Sequence, residues 1–368
     1  MVFAGGGSGG HLVPGVRVAE ELQRIAGGEG RYLFIRGHRR IECLVLDQAP
    51  GETWLLKGLI APRGLAGKAL FVIKMPALFA RSLRILRRFG ADSVIGLGGY
   101  GAVPTVLAAR ALGLRVLLLE QNAHPGLANR LLGPFAHAVC CSHARTAREF
   151  LNGRLTGNPV FQDLENLDRD AALRRFGFSA DRLTLLVVGG SQGAHGLNTL
   201  VLRHLSVLSP LAESLQILHI TGEADREWAE AEYRRFGLTA RVESFLADME
   251  QAYRVTDVIL SRAGGTTLAE LASAGLPSVL VPFPHHRDRH QYSNARIFVQ
   301  EGAGFLLPEE KGDAASFGAT VGVMLKDSNL RAKMSRAASR LAKPLAARHV
   351  AELLLAPLRK EGAITGSE

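Results

Sequence analysis

Three glycine-rich loops each follow a short apolar run of the kind that forms a buried strand. They read GGSGGH over residues 6–11, GGYG over 98–101 and GGSQGAH over 189–195. In a parallel sheet such loops lie at the carboxyl edge, where the backbone amides of a helix N-terminus bind anions. We therefore predict a site for a phosphorylated ligand. The alternative is that the glycines only permit tight strand-to-helix turns.

Polar side chains in and near these loops are candidates for chemistry. His11 ends the first loop, and imidazole is the side chain best able to accept a proton near neutral pH. Tyr100 lies in the second loop, and Asn122 ends the polar run EQN that follows another apolar run. These groups can hydrogen-bond a sugar or an acceptor hydroxyl. Two alternatives stay open, a structural His11 and an Asn122 that caps the next helix.

The second half repeats the pattern at residues 261–270, which read SRAGGTTLAE. The amides of 265–268 open a predicted helix and can hold a diphosphate. One turn further, Glu270 can bind a ribose diol through both carboxylate oxygens. The alternative is a capping box between Thr267 and Glu270.

A dinucleotide pattern, GxGxxG, is formed by Gly5, Gly7 and Gly10. The next predicted strand is followed by Arg36, where an NAD site needs an acidic residue. An NADP oxidoreductase therefore stays open as an alternative.

Two patterns suggest a metal site, and we discount both. His285, His286 and His290 stand beside arginines that repel a cation, with no cysteine near. Asp168 and Asp170 form a DxD pattern, but at a predicted helix start, where we expect solvated charge. We expect neither a metal nor a cofactor.

Residues 57–88 carry basic but no acidic side chains. The basic residues are Lys57, Arg63, Lys68, Lys74, Arg81, Arg84, Arg87 and Arg88. Apolar residues accompany them at 59, 60, 65 and 71 and as a helical stripe at 78, 79, 83, 86 and 89. This combination is typical of a surface that binds an anionic membrane. A core-facing stripe with a solvated opposite face is an equal alternative.

Composition narrows the classes of partner. The 368 residues have a net charge of +10 and a pI near 9.9, which favours acidic or phosphorylated partners. Aromatic residues make up 6%, and no nucleic-acid-binding motif occurs, so we expect no nucleic acid partner. Three cysteines without a CxxC pair indicate a reducing compartment. We find no pattern of a signal peptide or a membrane span, and expect a cytosolic or peripheral protein.

Short β-rich runs alternate with helical patterns throughout, which predicts an α/β fold with parallel, doubly wound sheets. The pattern pauses near residues 153–158 and restarts, so we predict two domains with a boundary near 157–159. The predicted strands are 2–4, 32–35, 93–97, 116–119 and 138–141, then 183–188, 215–221, 240–245, 258–260, 278–281 and 304–307. The predicted helices are 14–24, 76–89, 104–112, 126–132, 267–274 and 290–300, with a helical tail from 327 interrupted by Pro344.

Taken together and in this order, the loops resemble the MurG family of bacterial N-acetylglucosaminyltransferases. The resemblance covers roughly residues 2–295 and includes His290, Gln291 and Asn294. It implies a GT-B fold, with two Rossmann-like domains and an interdomain cleft. Residues 1–157 would form a membrane-facing acceptor domain, 158–343 a UDP-GlcNAc-binding domain, and 344–368 a helix returning to the first domain.

The resemblance also implies an activity: inverting transfer of GlcNAc from UDP-GlcNAc to lipid I, undecaprenyl-pyrophosphoryl-MurNAc-pentapeptide, at the cytoplasmic face of the cell membrane. His11 would be the general base. Residues facing the sugar or the acceptor would be Ser8, Gly9, Gly10, Tyr100, Asn122 and Gln291. Residues binding the nucleotide would be Ser191, Phe245, Leu246, Gly265, Thr266, Thr267, Leu268, Ala269 and Glu270.

The chain departs from the family at two positions where an arginine is usual, which here are Phe161 and His195. The first strand is also short enough to fray. Two further alternatives remain: another GT-B enzyme that transfers a UDP-sugar to a different lipid acceptor, and a non-catalytic protein that binds nucleotide sugars.

Overall fold

The computed structural model describes residues 1–6, 9–47, 49–59, 64–162, 164–190, 193–285 and 289–356. Ser8 and Ser191, both predicted site residues, lie outside this part of the chain. So do Ile60, Arg63 and His286.

The first half forms a parallel sheet in the order β3-β2-β1-β4-β5-β6-β7. Its strands are β1 Val2–Ala4, β2 Leu33–Arg36, β3 Glu52–Leu55, β4 Ser93–Gly96, β5 Arg115–Glu120, β6 Ala138–Cys141 and β7 Gly153–Leu155. The strand β1 lies at the centre, paired with β2 and β4, and is fully buried. The expectation that it frays is therefore wrong, because both of its edges are hydrogen-bonded.

Helices cover both faces of this sheet. They are α1 Gly9–Ile25, α2 Arg40–Leu46, α3 Gly64–Phe89, α4 Val103–Ala111, α5 Leu127–Leu132 and α6 Ala144–Ala147. Side chains alternate along β1, so that Val2 and Ala4 pack with α3, α4 and α5, whereas Phe3 packs with α1 on the other face.

The second half forms a parallel sheet in the order β10-β9-β8-β11-β12-β13. Its strands are β8 Leu183–Val188, β9 Leu215–Ile220, β10 Thr239–Glu243, β11 Val258–Ser261, β12 Ser278–Leu280 and β13 Gly304–Leu306. Its helices are α7 Arg169–Phe176, α8 His195–Arg203, α9 Leu205–Leu208, α10 Arg226–Arg235, α11 Met249–Val255, α12 Gly265–Ala274, α13 His290–Gln300, α14 Ala314–Phe317, α15 Val323–Lys326 and α16 Ser328–Leu341. Both sheets follow the order of a doubly wound Rossmann fold, and together they form the predicted GT-B architecture.

The last described helix, α17 Ala346–Leu355, leaves the second domain and packs on the first. Its buried residues Val350 and Leu354 belong to the same apolar cluster as Phe3 and Leu12. The chain thus crosses between the domains twice, once near residue 158 and once near Pro344.

The eleven predicted strands all occur, within two residues of their predicted ends. The strands β3 and β7, which the sequence analysis missed, are the two edges of the first sheet and are mostly exposed. The helix α3 begins twelve residues before its predicted start, with Pro76 inside it.

Candidate functional site

The order of strands reverses at β1 and β4 in the first sheet and at β8 and β11 in the second. Parallel doubly wound sheets bind ligands beside such points, at the carboxyl edge. The two carboxyl edges face each other here, because loops and helix starts that follow β1 and β5 contact those that follow β11. The predicted cleft lies between them.

The helix α1 begins at Gly9, five residues before the start predicted near Pro14. Gly9, Gly10 and His11 are therefore its first turn rather than part of the loop. Proline has no N–H to donate, so Pro14 leaves the Gly10 carbonyl without its helical partner. The Thr266 hydroxyl, from the second domain, donates to that carbonyl at 2.6 Å.

His11 lies in the cleft against the second glycine loop. A Cβ atom at Gly98 would lie 3.0 Å from His11 Cδ2, and one at Gly99 would lie 3.7 Å from Cε1. Burial, together with nearby His290 at the start of α13, lowers the pKa of His11 to about 4. The imidazole is therefore neutral at physiological pH, the form that accepts a proton.

The loop after β5 is organised by a buried carboxylate. Glu120 accepts hydrogen bonds from Asn122 N and Nδ2, Gly126 N and Asn129 Nδ2, at 2.9–3.2 Å. Burial raises the pKa of Glu120. Gly126, and not Asn122, is the N-cap of α5, so the alternative of Asn122 as a helix cap is wrong.

Asn294 joins the two carboxyl edges, although the sequence analysis gave it no role of its own. It is fully buried on α13 and donates from Nδ2 to Asn122 Oδ1 and to the Ala263 carbonyl, each at 3.1 Å. Its Oδ1 accepts from Ala123 N at 2.8 Å. One amide thus fixes the loop after β5 against the loop after β11.

The start of α12 abuts the first domain. A Cβ atom at Gly265 would lie 2.3 Å from the Gln121 carbonyl oxygen, so glycine is required by this approach. Gly264 is the N-cap, and the capping box of Thr267 with Glu270 does not form. Thr266 is buried, donating to Gly10 and accepting from Asn158 Nδ2 at 3.1 Å. The side chain of Thr266 therefore serves interdomain contact, and its backbone amide is the group suited to a phosphate.

Glu270 lies in the second turn of α12, where the Tyr253 hydroxyl of α11 donates to its Oε2 at 2.9 Å. Burial and the nearby Glu250 raise its pKa to about 7, although Tyr253 and Arg17 act in the opposite direction. The carboxylate is held in one orientation and titrates near physiological pH.

The other predicted nucleotide residues are close in sequence to this pair. Leu268 packs in the core and Ala269 is half-buried. Phe245 and Leu246 are half-buried in the loop between β10 and α11. The prediction that Phe245 ends the strand is wrong, because β10 ends at Glu243.

Two predicted sugar or acceptor residues make structural contacts. Gln291 Oε1 accepts from Phe283 N at 2.9 Å, which ties α13 to the preceding loop. Tyr100 meets Phe71 of α3 edge-on, with ring centroids 6.0 Å apart. The acceptor-side loop is thus attached to the long helix α3.

Phe161 and His195, which stand where the family usually has arginine, both contact identified side chains. Phe161 is buried and stacks on Tyr253, with ring centroids 5.5 Å apart. His195 is exposed at the start of α8, and its Nδ1 lies 2.9 Å from Asp225 Oδ1.

The two ends of α3 differ in the burial of their apolar side chains. Leu78, Leu86 and Phe89 are buried, so the core-facing alternative is correct for the segment after Pro76. Before Pro76, apolar side chains are exposed: Leu65 by 86%, Leu70 by 43%, Val72 by 68% and Ile73 by 73%. We call these four residues, with Lys68 and Lys74, the apolar-basic surface. Among the described residues, no helix has the length and apolar character needed to cross a membrane.

Asp168 of the DxD pattern is the N-cap of α7 and accepts from Asp170 N and Ala171 N. This is the solvated helix start expected from the sequence. In the part of the chain that the structure describes, no three potential ligand side chains come together as a metal site.

Family models match both halves of the chain. Residues 1–141 match the glycosyltransferase family 28 N-terminal domain, and residues 184–350 match the C-terminal domain of the same family.

Curated relatives share a single description, UDP-N-acetylglucosamine--N-acetylmuramyl-(pentapeptide) pyrophosphoryl-undecaprenol N-acetylglucosamine transferase. The protein of Anaeromyxobacter dehalogenans (strain 2CP-1 / ATCC BAA-258) is 40% identical over 98% of this chain and 93% of its own. That of Thermodesulfovibrio yellowstonii is 34% identical over 98% and 99%.

Two solved structures superpose on most of the chain. MurG of Acinetobacter baumannii superposes with a TM-score of 0.70 and 29% identity, covering 96% of this chain and 98% of its own. UDP-GlcNAc 2-epimerase of Neisseria meningitidis, solved with UDP-GlcNAc, gives a TM-score of 0.71 at 16% identity, covering 96% and 98%. The latter similarity shows a shared fold.

Proposed function

The chain belongs to glycosyltransferase family 28 and to its UDP-N-acetylglucosamine--N-acetylmuramyl-(pentapeptide) pyrophosphoryl-undecaprenol N-acetylglucosamine transferases, and from this premise we propose its reaction. The enzyme transfers GlcNAc from UDP-GlcNAc to the 4-hydroxyl of MurNAc in lipid I. The product, lipid II, is a precursor of peptidoglycan, so cell wall growth, shape and division would depend on this step. The observation that carries the proposal is the cleft in which Gly10 and Asn122 contact the start of α12, with His11 beside Gly10 and close to His290 of the second domain.

Residues 158–343 form the donor side of the proposed reaction. The first-turn amides of α12, at 265–268, would hold the diphosphate, because they carry the positive end of the helix dipole. Glu270 would accept hydrogen bonds from the ribose hydroxyls. Phe245 would cover the uracil, and the Leu246 backbone would hydrogen-bond it.

Residues 1–157 form the acceptor side. His11 would remove the proton of the acceptor hydroxyl as its oxygen attacks C1 of GlcNAc and the bond from C1 to the UDP oxygen breaks. The anomeric centre inverts in a single displacement. The departing UDP takes up negative charge, which the amides at the start of α12 would stabilise. A bound diphosphate would also raise the pKa of His11 toward neutral, where a general base is most effective.

The apolar-basic surface supports peripheral attachment to the cytoplasmic face of the bacterial membrane. Exposed Val72 and Ile73 would enter the lipid interface, while Lys68 and Lys74 would meet anionic headgroups. The contact of Phe71 with Tyr100 supports this proposal, because it joins α3 to the acceptor-side loop, which would receive a polyprenyl diphosphate from the membrane.

The experiment is transfer of labelled GlcNAc from UDP-GlcNAc to a soluble lipid I analogue, with and without EDTA. We expect equal product in both, with the new linkage β when the donor is α. An acceptor analogue without MurNAc should give no product. Product only from that second analogue would favour a different lipid acceptor, and UDP-GlcNAc binding without any transfer would favour a non-catalytic binding protein.

A further inference from the structure

Arg17 of the first domain forms an ion pair with the second domain and lowers the pKa of Glu270. Arg17, on α1, contacts Glu250 of α11 through Nη2, and it contacts Glu20, one turn further along α1, through Nη1 at 3.0 Å. Its side chain is 28% exposed and that of Glu250 is 26% exposed, so the ion pair is mostly buried. Glu250 lies one turn before Tyr253 on α11, and the Tyr253 hydroxyl donates to Glu270. Beside the larger effect of burial, Glu250 raises and Arg17 lowers the pKa of Glu270.

Without Arg17, its partners Glu20 and Glu250, together with Glu270, would leave only negative charge in this group. Glu250 and Glu270 belong to α11 and α12 of the second domain and repel each other. The Phe161 ring supports Tyr253, and Tyr253 fixes the Glu270 carboxylate by a hydrogen bond, but neither residue brings a positive charge. Among the described residues, the cation that lowers the pKa of Glu270 is Arg17, from the opposite domain.

We propose that Arg17 is a positioning residue of the donor site, which neutralises Glu250 and keeps Glu270 ready to bind the ribose of a uridine nucleotide when the domains are closed. This inference rests on the proposed function, in which Glu270 binds the donor. Arg17 acts through these carboxylates, so it should influence donor affinity and its pH dependence rather than the chemical step.

Two substitutions break the same ion pair and separate this role from a merely structural one. Arg17→Gln leaves Glu250 unneutralised beside Glu270, which raises the pKa of Glu270. Glu250→Gln removes the repelling charge, while Arg17 keeps its pairing with Glu20 and its effect on Glu270, so the pKa of Glu270 falls. A structural ion pair would respond alike to either change.

The measurement is UDP binding by calorimetry between pH 5.5 and 8.5, with donor KM and kcat on the same preparations. For Arg17→Gln we expect Kd for UDP and donor KM to rise about three- to tenfold at pH 7, with kcat within about twofold. Glu250→Gln should bind UDP at least as tightly as the wild type, and the double variant should return close to it. Arg17→Lys should recover part of the loss.

The matched control is Arg24→Gln, which removes another α1 arginine, 64% exposed and paired with Glu21. It should leave UDP binding unchanged. Equal weakening by Arg17→Gln and Glu250→Gln, or unchanged binding in Arg17→Gln, would overturn the proposal. A wild-type enzyme that binds UDP but transfers no GlcNAc would contradict the proposed function. The role of Arg17 could then still be tested, because UDP binding by the variants does not depend on transfer.

Discussion

Gly98 offers a direct way to displace His11 without altering its chemistry. Gly98 has a φ of +95°, and an added Cβ would lie 3.0 Å from His11 Cδ2. The Gly98→Ala substitution therefore has two unfavourable effects on the folded structure. The left-handed backbone costs an alanine roughly 1–2 kcal/mol, and the imidazole must move by a few tenths of an ångström.

Substitution of Gly113 is the matched control, because it tests the backbone effect without the contact with His11. Gly113 follows α4 with a φ of +71°, and a Cβ there would meet no described atom within 4 Å. Gly113→Ala should therefore lose about the same 1–2 kcal/mol of unfolding free energy while His11 stays in place. Both variants would be compared by denaturant unfolding and by kcat for GlcNAc transfer.

We expect Gly98→Ala to lower kcat about 10- to 100-fold and Gly113→Ala to leave it within about twofold, because small misplacements of a catalytic group are costly. UDP binding should be similar in both. Equal kcat values in the two variants at equal stability would refute the assignment of His11 to the reacting centre.

Three further predictions concern other contacts of the cleft. Thr266→Val removes the hydroxyl that donates to the Gly10 carbonyl across the two domains, so donor KM should rise by the equivalent of about 0.5–1.5 kcal/mol while kcat changes little. An unchanged KM would contradict a role of this interdomain contact in donor binding. His290 lowers the pKa of His11, so in His290→Asn that pKa should rise and the acidic limb of the pH–rate profile should move to higher pH. An unchanged acidic limb would show that His290 does not influence the group that titrates there. Ile73→Asp should lower the fraction of protein that co-sediments with anionic vesicles. Val323→Asp, at an exposed site of the second domain, should leave that fraction unchanged.

Much of the fold was predictable because the interior strands are short apolar runs bounded by glycine or polar loops. The strands β3 and β7 were missed since a half-exposed edge strand has no such run; residues 52–55 read ETWL and 153–155 read GRL. The start of α1 was misplaced because proline usually marks a first turn, whereas Pro14 lies within the helix and Thr266 satisfies the carbonyl it leaves open.

The candidate site was predictable to the extent that its residues stand in loops after strands. His11, Asn122 and Glu270 were predicted in this way, and their roles stay predictions. The interdomain contacts of Asn294 and Arg17 are made to partners more than 170 residues away in sequence. No local pattern encodes such pairs, because they depend on how the two domains close.

In the proposed reaction, GlcNAc transfer depends on His11, which takes the proton of the acceptor hydroxyl. The most direct test is GlcNAc transfer to a lipid I analogue by the wild type and by His11→Ala, with the Kd for UDP measured on the same samples. The wild type should form product, and His11→Ala should lose about 10²–10⁴-fold in kcat with its Kd for UDP unchanged. Full activity in His11→Ala, or no product from the wild type, would contradict the account.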